Sequence, residues 1–117
     1  MPSAITPKQI ATILIVNHDS SARERLRSSF EKAGYRAVVA EDAPSALRLL
    51  HEDASDLIVL DLEMPGVDGL ALCRLLRAQP ATSQLPVIAL SAHDEDSQKV
   101  EAFAAGADDY ISKASSS

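Results

Sequence analysis

Leu57-Ile58-Val59-Leu60-Asp61-Leu62-Glu63-Met64-Pro65-Gly66 is the stretch that decides the fold. Its first four residues are branched and continuously apolar, the pattern of a parallel strand covered on both faces. Asp61 ends that run with a carboxylate, and Pro65-Gly66 is turn chemistry that cannot continue it. In open α/β sheets ligands bind in the crevice beyond the carboxyl ends of the strands, so a single Asp at that edge is placed for chemistry.

Upstream, Thr12-Ile13-Leu14-Ile15-Val16 reads as another buried strand, and it runs into Asn17-His18-Asp19. Ser20 or Ser21 is expected to cap the helix that follows, with Ser21-Ala22-Arg23-Glu24 matching a capping box. Ala22, Leu26, Phe30 and Ala33 give that helix an apolar stripe, and Gly34 stops it. Tyr35 to Ala40 is a short second strand, after which Pro44 opens a helix whose Ala46, Leu47 and Leu50 face inward. Downstream, Asp68 caps a third helix through Leu72, Cys73 and Leu76, with Pro80 beyond its end. Leu85 to Leu90 is a fourth strand, closed by Ser91, with Pro86 near its start where no ladder donor is needed. A helix from Glu95 to Ala105 carries Val100, Phe103 and Ala104 on one side and stops at Gly106. Asp109-Tyr110-Ile111-Ser112 is a weak fifth strand leading to Lys113. This alternation predicts a parallel sheet with right-handed crossovers and helices on both faces, a three-layer α/β sandwich. It calls for a fifth helix, yet after Lys113 only Ala114 and three serines remain, so that helix is expected to be missing or truncated.

At 117 residues the chain is one domain, large enough to bury a core without staples. Residues 1–10 read as a flexible leader, 11–114 as the domain and 115–117 as the start of a linker or tail. Aromatics make up only 3% against 46% hydrophobic residues, so the core must be aliphatic. A formal charge of −6 with no dense basic block argues against direct binding of nucleic acid. The lone Cys73 cannot form an internal disulfide and reads as a small buried hydrophobe in a reducing compartment. With no apolar run near the roughly 18 residues of a membrane span, a cytoplasmic protein is expected.

Asp61, Ser91 and Lys113 each end a strand and would converge on one edge with Asn17 and His18. A carboxylate can accept a phosphoryl group when Mg²⁺ and a lysine offset the charge and a hydroxyl donates to a phosphoryl oxygen. On Asp61-Leu-Glu-Met-Pro-Gly-Val-Asp-Gly69, Ala89-Leu-Ser91-Ala92 and Gly106-Ala-Asp-Asp-Tyr-Ile-Ser-Lys113, the chain resembles the receiver domain of bacterial two-component response regulators over nearly its whole length. The resemblance implies a flavodoxin-like fold of strand order 2-1-3-4-5. It implies Asp61 as the phosphorylated aspartate, Ser91 and Tyr110 as switch residues, Lys113 as the phosphoryl-contacting lysine, and Asp61 with the backbone carbonyl of Glu63 as metal ligands. It also implies a histidine kinase or phosphotransfer protein as donor, an output domain C-terminal to residue 117, and a homodimer through the face of the fourth helix, fifth strand and fifth helix. Such a module is not an enzyme with its own turnover substrate and takes no organic cofactor.

Two departures bear on that site. Family members normally hold Mg²⁺ with two adjacent acids after the first strand, and here those positions are Asn17 and His18, so weak Mg²⁺ binding and weakened or absent Mg²⁺-dependent phosphorylation are expected. Asp19 is one residue too far along and is expected at the start of the helix. With Asp61 set against Lys113, or against Lys113 and a protonated His18 imidazole, the pocket is expected to be near neutral without metal. Lys113 is followed by Ala114, where many members have a proline after a cis bond, and a cis bond costs a non-proline residue about 2.5 to 4 kcal/mol.

The bland readings are a hydrogen bond from His18 to the backbone or Asp61, His51 on a solvated helix end, and surface charge at Asp108-Asp109. His93 with His18 and Asp61 would imitate a two-histidine, one-carboxylate metal site. A pseudo-receiver acting through phosphorylation-independent protein contacts is the alternative function. A dehalogenase-like phosphatase would need its nucleophile at Asn17, and a flavodoxin would need a phosphate loop there.

Overall fold

The computed structural model describes residues 10–64, 66 and 68–113. Residues 1–9 of the expected leader, the linker and the peptide bond to Ala114 lie outside the described residues. Along the chain run β1 (Thr12–Val16), α1 (Ser20–Lys32), β2 (Arg36–Ala40), α2 (Ala43–Glu52), β3 (Leu57–Asp61), α3 (Gly69–Ala78), β4 (Val87–Ser91), α4 (Asp96–Ala104) and β5 (Asp109–Ser112). The five strands form one parallel sheet of order β2-β1-β3-β4-β5, as the resemblance implied. Four helices cover it among the described residues.

The sheet sorts its side chains by parity, because successive residues of a strand point to opposite faces. Leu14, Val16, Ile58, Leu60, Val87 and Ala89 meet α2, α3 and α4 through Ala46, Leu72, Leu76 and Ala102. Ile13, Ile15 and Val59 point the other way, toward Leu26 and Phe30 of α1. Three helices therefore cover one face and α1 the other. A groove of about 550 Å³ remains beside α1, lined in part by Leu26, Ser29, Leu90 and Ile111. Cys73 is buried as expected, and burial pushes its thiol up.

Register puts the strand ends level at the carboxyl edge. Val16 stands opposite Leu60, Asp61 opposite Leu90 and Ser91 opposite Ser112. The first residues beyond β1 and β5, Asn17 and Lys113, thus flank Asp61 across the switch point, where β1 lies between β2 and β3. Gly69 brings α3 close beneath this edge. A Cβ there would sit 2.6 Å from the Leu62 Cα and 2.7 Å from the Asp61 carbonyl oxygen, so only glycine permits the approach.

Several local expectations change. Asp19, not a serine, caps α1, because its carboxylate accepts the Ser21 N–H at 3.0 Å and leaves no capping box. The side of α4 bearing Val100, Phe103 and Ala104 faces solvent, with Val100 66% exposed, whereas Ala102 and Ala105 face the sheet. Small residues let the helix approach closely, and their stripe outweighs the larger one. Asp108 is more than surface charge. Its Oδ2 accepts the Val87 N–H at 2.8 Å and pairs with Arg77 at 3.0 Å. The same guanidinium donates to the carbonyls of Leu85, Thr82, Ser83 and Gly106, tying the approach to β4 to the start of β5.

Candidate functional site

The site begins with a charge forced into the sheet. Asp61 is the last residue of β3 and only 1% exposed, so its carboxylate must find partners. Lys113 Nζ lies 2.8 Å from Oδ1, and the Glu63 N–H donates to the same oxygen at 3.0 Å. Oδ2 lies 3.9 Å from His18 Nδ1, beyond hydrogen-bond reach. A cleft of about 510 Å³ opens there, lined by Asn17, His18, Asp19, Arg25, Asp61 and Lys113 among others. Lys113 loses hydration on burial, but the hydrogen bond and charge of Asp61, with the charge of Glu63, raise its ammonium above the usual lysine range.

Ser91, also 1% exposed, ends β4 beside Asp61. Its hydroxyl donates to Glu63 Oε2 at 2.7 Å and accepts the His93 N–H at 3.0 Å. The Tyr110 hydroxyl in turn donates to the His93 carbonyl, so the two expected switch residues are joined through one backbone unit. Glu63 Oε1 accepts the Ala92 N–H at 2.7 Å and lies 3.4 Å from Lys113 Nζ. Burial works against ionisation of Glu63, but Ala92, Ser91 and Lys113 outweigh it and hold the carboxyl below the usual glutamate range. The pocket is therefore not the near-neutral pair expected from Asp61 and Lys113. It places two carboxylates against one lysine, because the Glu63 side chain turns in beside Asp61 and lies 3.4 Å from Lys113 Nζ.

The β1 side differs. Asn17 is 3% exposed, and its Oδ1 accepts the Asp19 N–H at 2.9 Å. His18 is half exposed at the mouth. Arg23, which carried no signal in the sequence, donates to the carbonyls of Asn17 at 2.9 Å and His18 at 3.1 Å and fixes the loop. His93 turns toward Glu95, 3.9 Å away, and His51 sits exposed in the last turn of α2. Among the described residues no three His, Cys, Asp or Glu side chains group to hold a metal, so the two-histidine site is not assembled. No helix among them is long and apolar enough to cross a membrane.

An open doubly wound sheet with an aspartate, a hydroxyl and a lysine gathered at its switch point defines the flavodoxin-like class. Within that class, residues 13–117 match the response regulator receiver domain. The chain is 44% identical over 101 residues to the response regulator MprA of Mycolicibacterium vanbaalenii, covering 86% of this chain and 43% of that protein. The chemotaxis protein CheY4 of Vibrio cholerae superimposes with a TM-score of 0.86 at 27% identity, covering 90% of this chain and 88% of that one. A putative response regulator from Chloroflexus aurantiacus gives 0.86 at 35% identity, covering 91% and 87%. The chain belongs to the response regulator receiver domain family, whose members are signalling modules of two-component systems. It spans under half the length of MprA, at 43%.

Receiver domains generally take Mg²⁺ in their acidic pocket, and the donor set here fits that ion poorly. Mg²⁺ requires a near-octahedral shell of oxygens. Asn17 Oδ1 already accepts the Asp19 N–H, Asp61 Oδ1 is held by Lys113 and Glu63, and His18 offers a ring nitrogen where an acid is wanted.

Proposed function

We propose that Asp61 accepts a phosphoryl group and that Ser91 and Tyr110 carry the change outward. The observation behind this reading is the burial of Asp61 at 2.8 Å from Lys113, with Ser91 at the adjoining strand end. The Asp61 carboxylate, which lines the cleft, is the nucleophile. It bonds to phosphorus as the phosphorus–nitrogen bond of a phosphohistidine breaks, and the departing imidazole keeps the electron pair and takes up a proton. Lys113 offsets the charge gathering on Asp61 and the phosphoryl oxygens, and the Ser91 hydroxyl donates to one of them. With Asn17 and His18 in place of two acids, transfer does not depend strongly on Mg²⁺, and Glu63 lends no more than its backbone carbonyl to a metal.

The phosphoryl donor is a histidine kinase or phosphotransfer protein, and an output domain follows residue 117. Val100 and Phe103 on α4, 66% and 48% exposed, offer an apolar surface on which two copies associate. Incubation with phosphoramidate and intact-mass measurement tests the acceptor. One phosphoryl group is expected on the unsubstituted chain and none on Asp61→Asn. Equal labelling of both proteins rejects Asp61, and no labelling of either favours a phosphorylation-independent interaction module.

A further inference from the structure

Glu63 follows Asp61 by two residues, and its N–H donates to Asp61 Oδ1 at 3.0 Å, so its backbone is tied to the acceptor. Its carboxylate meets a hydroxyl, a backbone amide and an ammonium. Ser91 donates to Oε2 at 2.7 Å, Ala92 N–H donates to Oε1 at 2.7 Å, and Lys113 Nζ stands 3.4 Å from Oε1. Donors of these three kinds converging on one point make an oxyanion site. Two of them, Ser91 and Lys113, are the groups assigned above to the phosphoryl oxygens.

We infer that the Glu63 carboxylate occupies the phosphoryl-oxygen site of the unphosphorylated chain and must leave before Asp61 is phosphorylated. The inference rests on the reading of Asp61 as acceptor and adds an internal competitor to it. Charge and space point the same way. Lys113 already serves two carboxylates, so an arriving phosphoryl group adds negative charge beside Glu63 and claims its hydrogen-bond donors. At 35% exposure, Glu63 has a short path into solvent. While it stays, it holds the Ser91 hydroxyl, and through the His93 backbone that hydroxyl is linked to Tyr110. The switch residues are thus restrained before any phosphoryl group arrives.

Phosphorylation rates and an amide resonance of the full chain test this separately from the acceptor reading. With phosphoramidate as donor, Glu63→Gln and Glu63→Ala are expected to gain mass about tenfold faster than the unsubstituted chain. That factor corresponds to about 1.4 kcal/mol, near the lower end for a hydrogen bond to a charged group. In unphosphorylated protein, the Ala92 amide proton is expected to move upfield in Glu63→Ala, while amides distant from the pocket stay in place and report an intact fold. Equal or slower mass gain in both variants overturns the competition and leaves Asp61 as acceptor. An unmoved Ala92 resonance overturns the contact itself. Absence of mass gain in all three proteins, with the Ala92 shift present, overturns the acceptor reading instead.

Discussion

On one side of the cleft, Asp61, Glu63, Ser91, Ala92 and Lys113 are bound to one another across β3, β4 and the end of β5. On the other, Asn17, His18 and Asp19 hold mainly their own loop, through the Asn17 side chain, the Asp19 cap and Arg23. The first arrangement gathers donors for an oxyanion at the point where a phosphoryl group is proposed to arrive. The second stabilises a strand-to-helix turn and spends its side-chain oxygens doing so. The two halves of one pocket thus use their polar side chains differently, one across strands and the other within its own loop.

The largest expected effect comes from breaking the first side. Lys113→Ala removes the ammonium beside a buried carboxylate, and the phosphorylation rate is expected to fall about 100-fold, the usual scale for losing one preorganised charge-stabilising donor. Retention of the rate would place charge neutralisation elsewhere. The second side can be rebuilt. His18→Asp supplies an acid beyond β1, and Mg²⁺ is then expected to accelerate phosphorylation about tenfold, as one added anionic oxygen ligand offers about 1.4 kcal/mol of extra charge stabilisation. Titration of both proteins with Mg²⁺ checks this, and equal responses would show that residue 18 is not what limits the metal.

The side whose residues bind one another across strands was also the more legible one. Asp61, Ser91 and Lys113 could be placed because apolar runs dictate where strands end, and a parallel sheet brings those ends to one edge. The Glu63 carboxylate could not, because its partners Ser91 and Ala92 lie 28 and 29 residues away and depend on the register of β3 against β4. Asp108 escaped for the same reason, since its partners are Val87 and Arg77. In α4 the buried stripe is Ala102 with Ala105 and not the larger Val100 with Phe103, because close approach of the helix to the sheet favours small residues, which hydrophobicity along the sequence does not reveal. The α1 cap was misplaced by one or two positions, where serines and an aspartate are near-equal candidates and only geometry separates them.

Arg23 gives a smaller effect on the β1 side. Its guanidinium holds the carbonyls of Asn17 and His18, so Arg23→Ala is expected to lower stability by about 1 kcal/mol, the net scale of such hydrogen bonds. Urea unfolding measures it. A larger loss of phosphorylation than of stability would mean that the loop bears on the chemistry as well as the fold.

The smallest effect concerns pH and Glu63. Its carboxyl is held below the usual glutamate range, against burial, by Ala92, Ser91 and Lys113. A group whose value falls on folding adds stability that is full above its unfolded value and is lost as the pH drops through the folded one. The unsubstituted chain should therefore exceed Glu63→Gln in stability at neutral pH, and the excess should shrink as the medium becomes acidic. At 35% exposure, solvent screening keeps the difference under about 1 kcal/mol. Urea midpoints of the two proteins at neutral and acidic pH measure it. Parallel pH profiles would mean that the carboxylate gains nothing from its three donors, and the contrast between the two sides of the cleft would then rest on Asp61 and Lys113 alone.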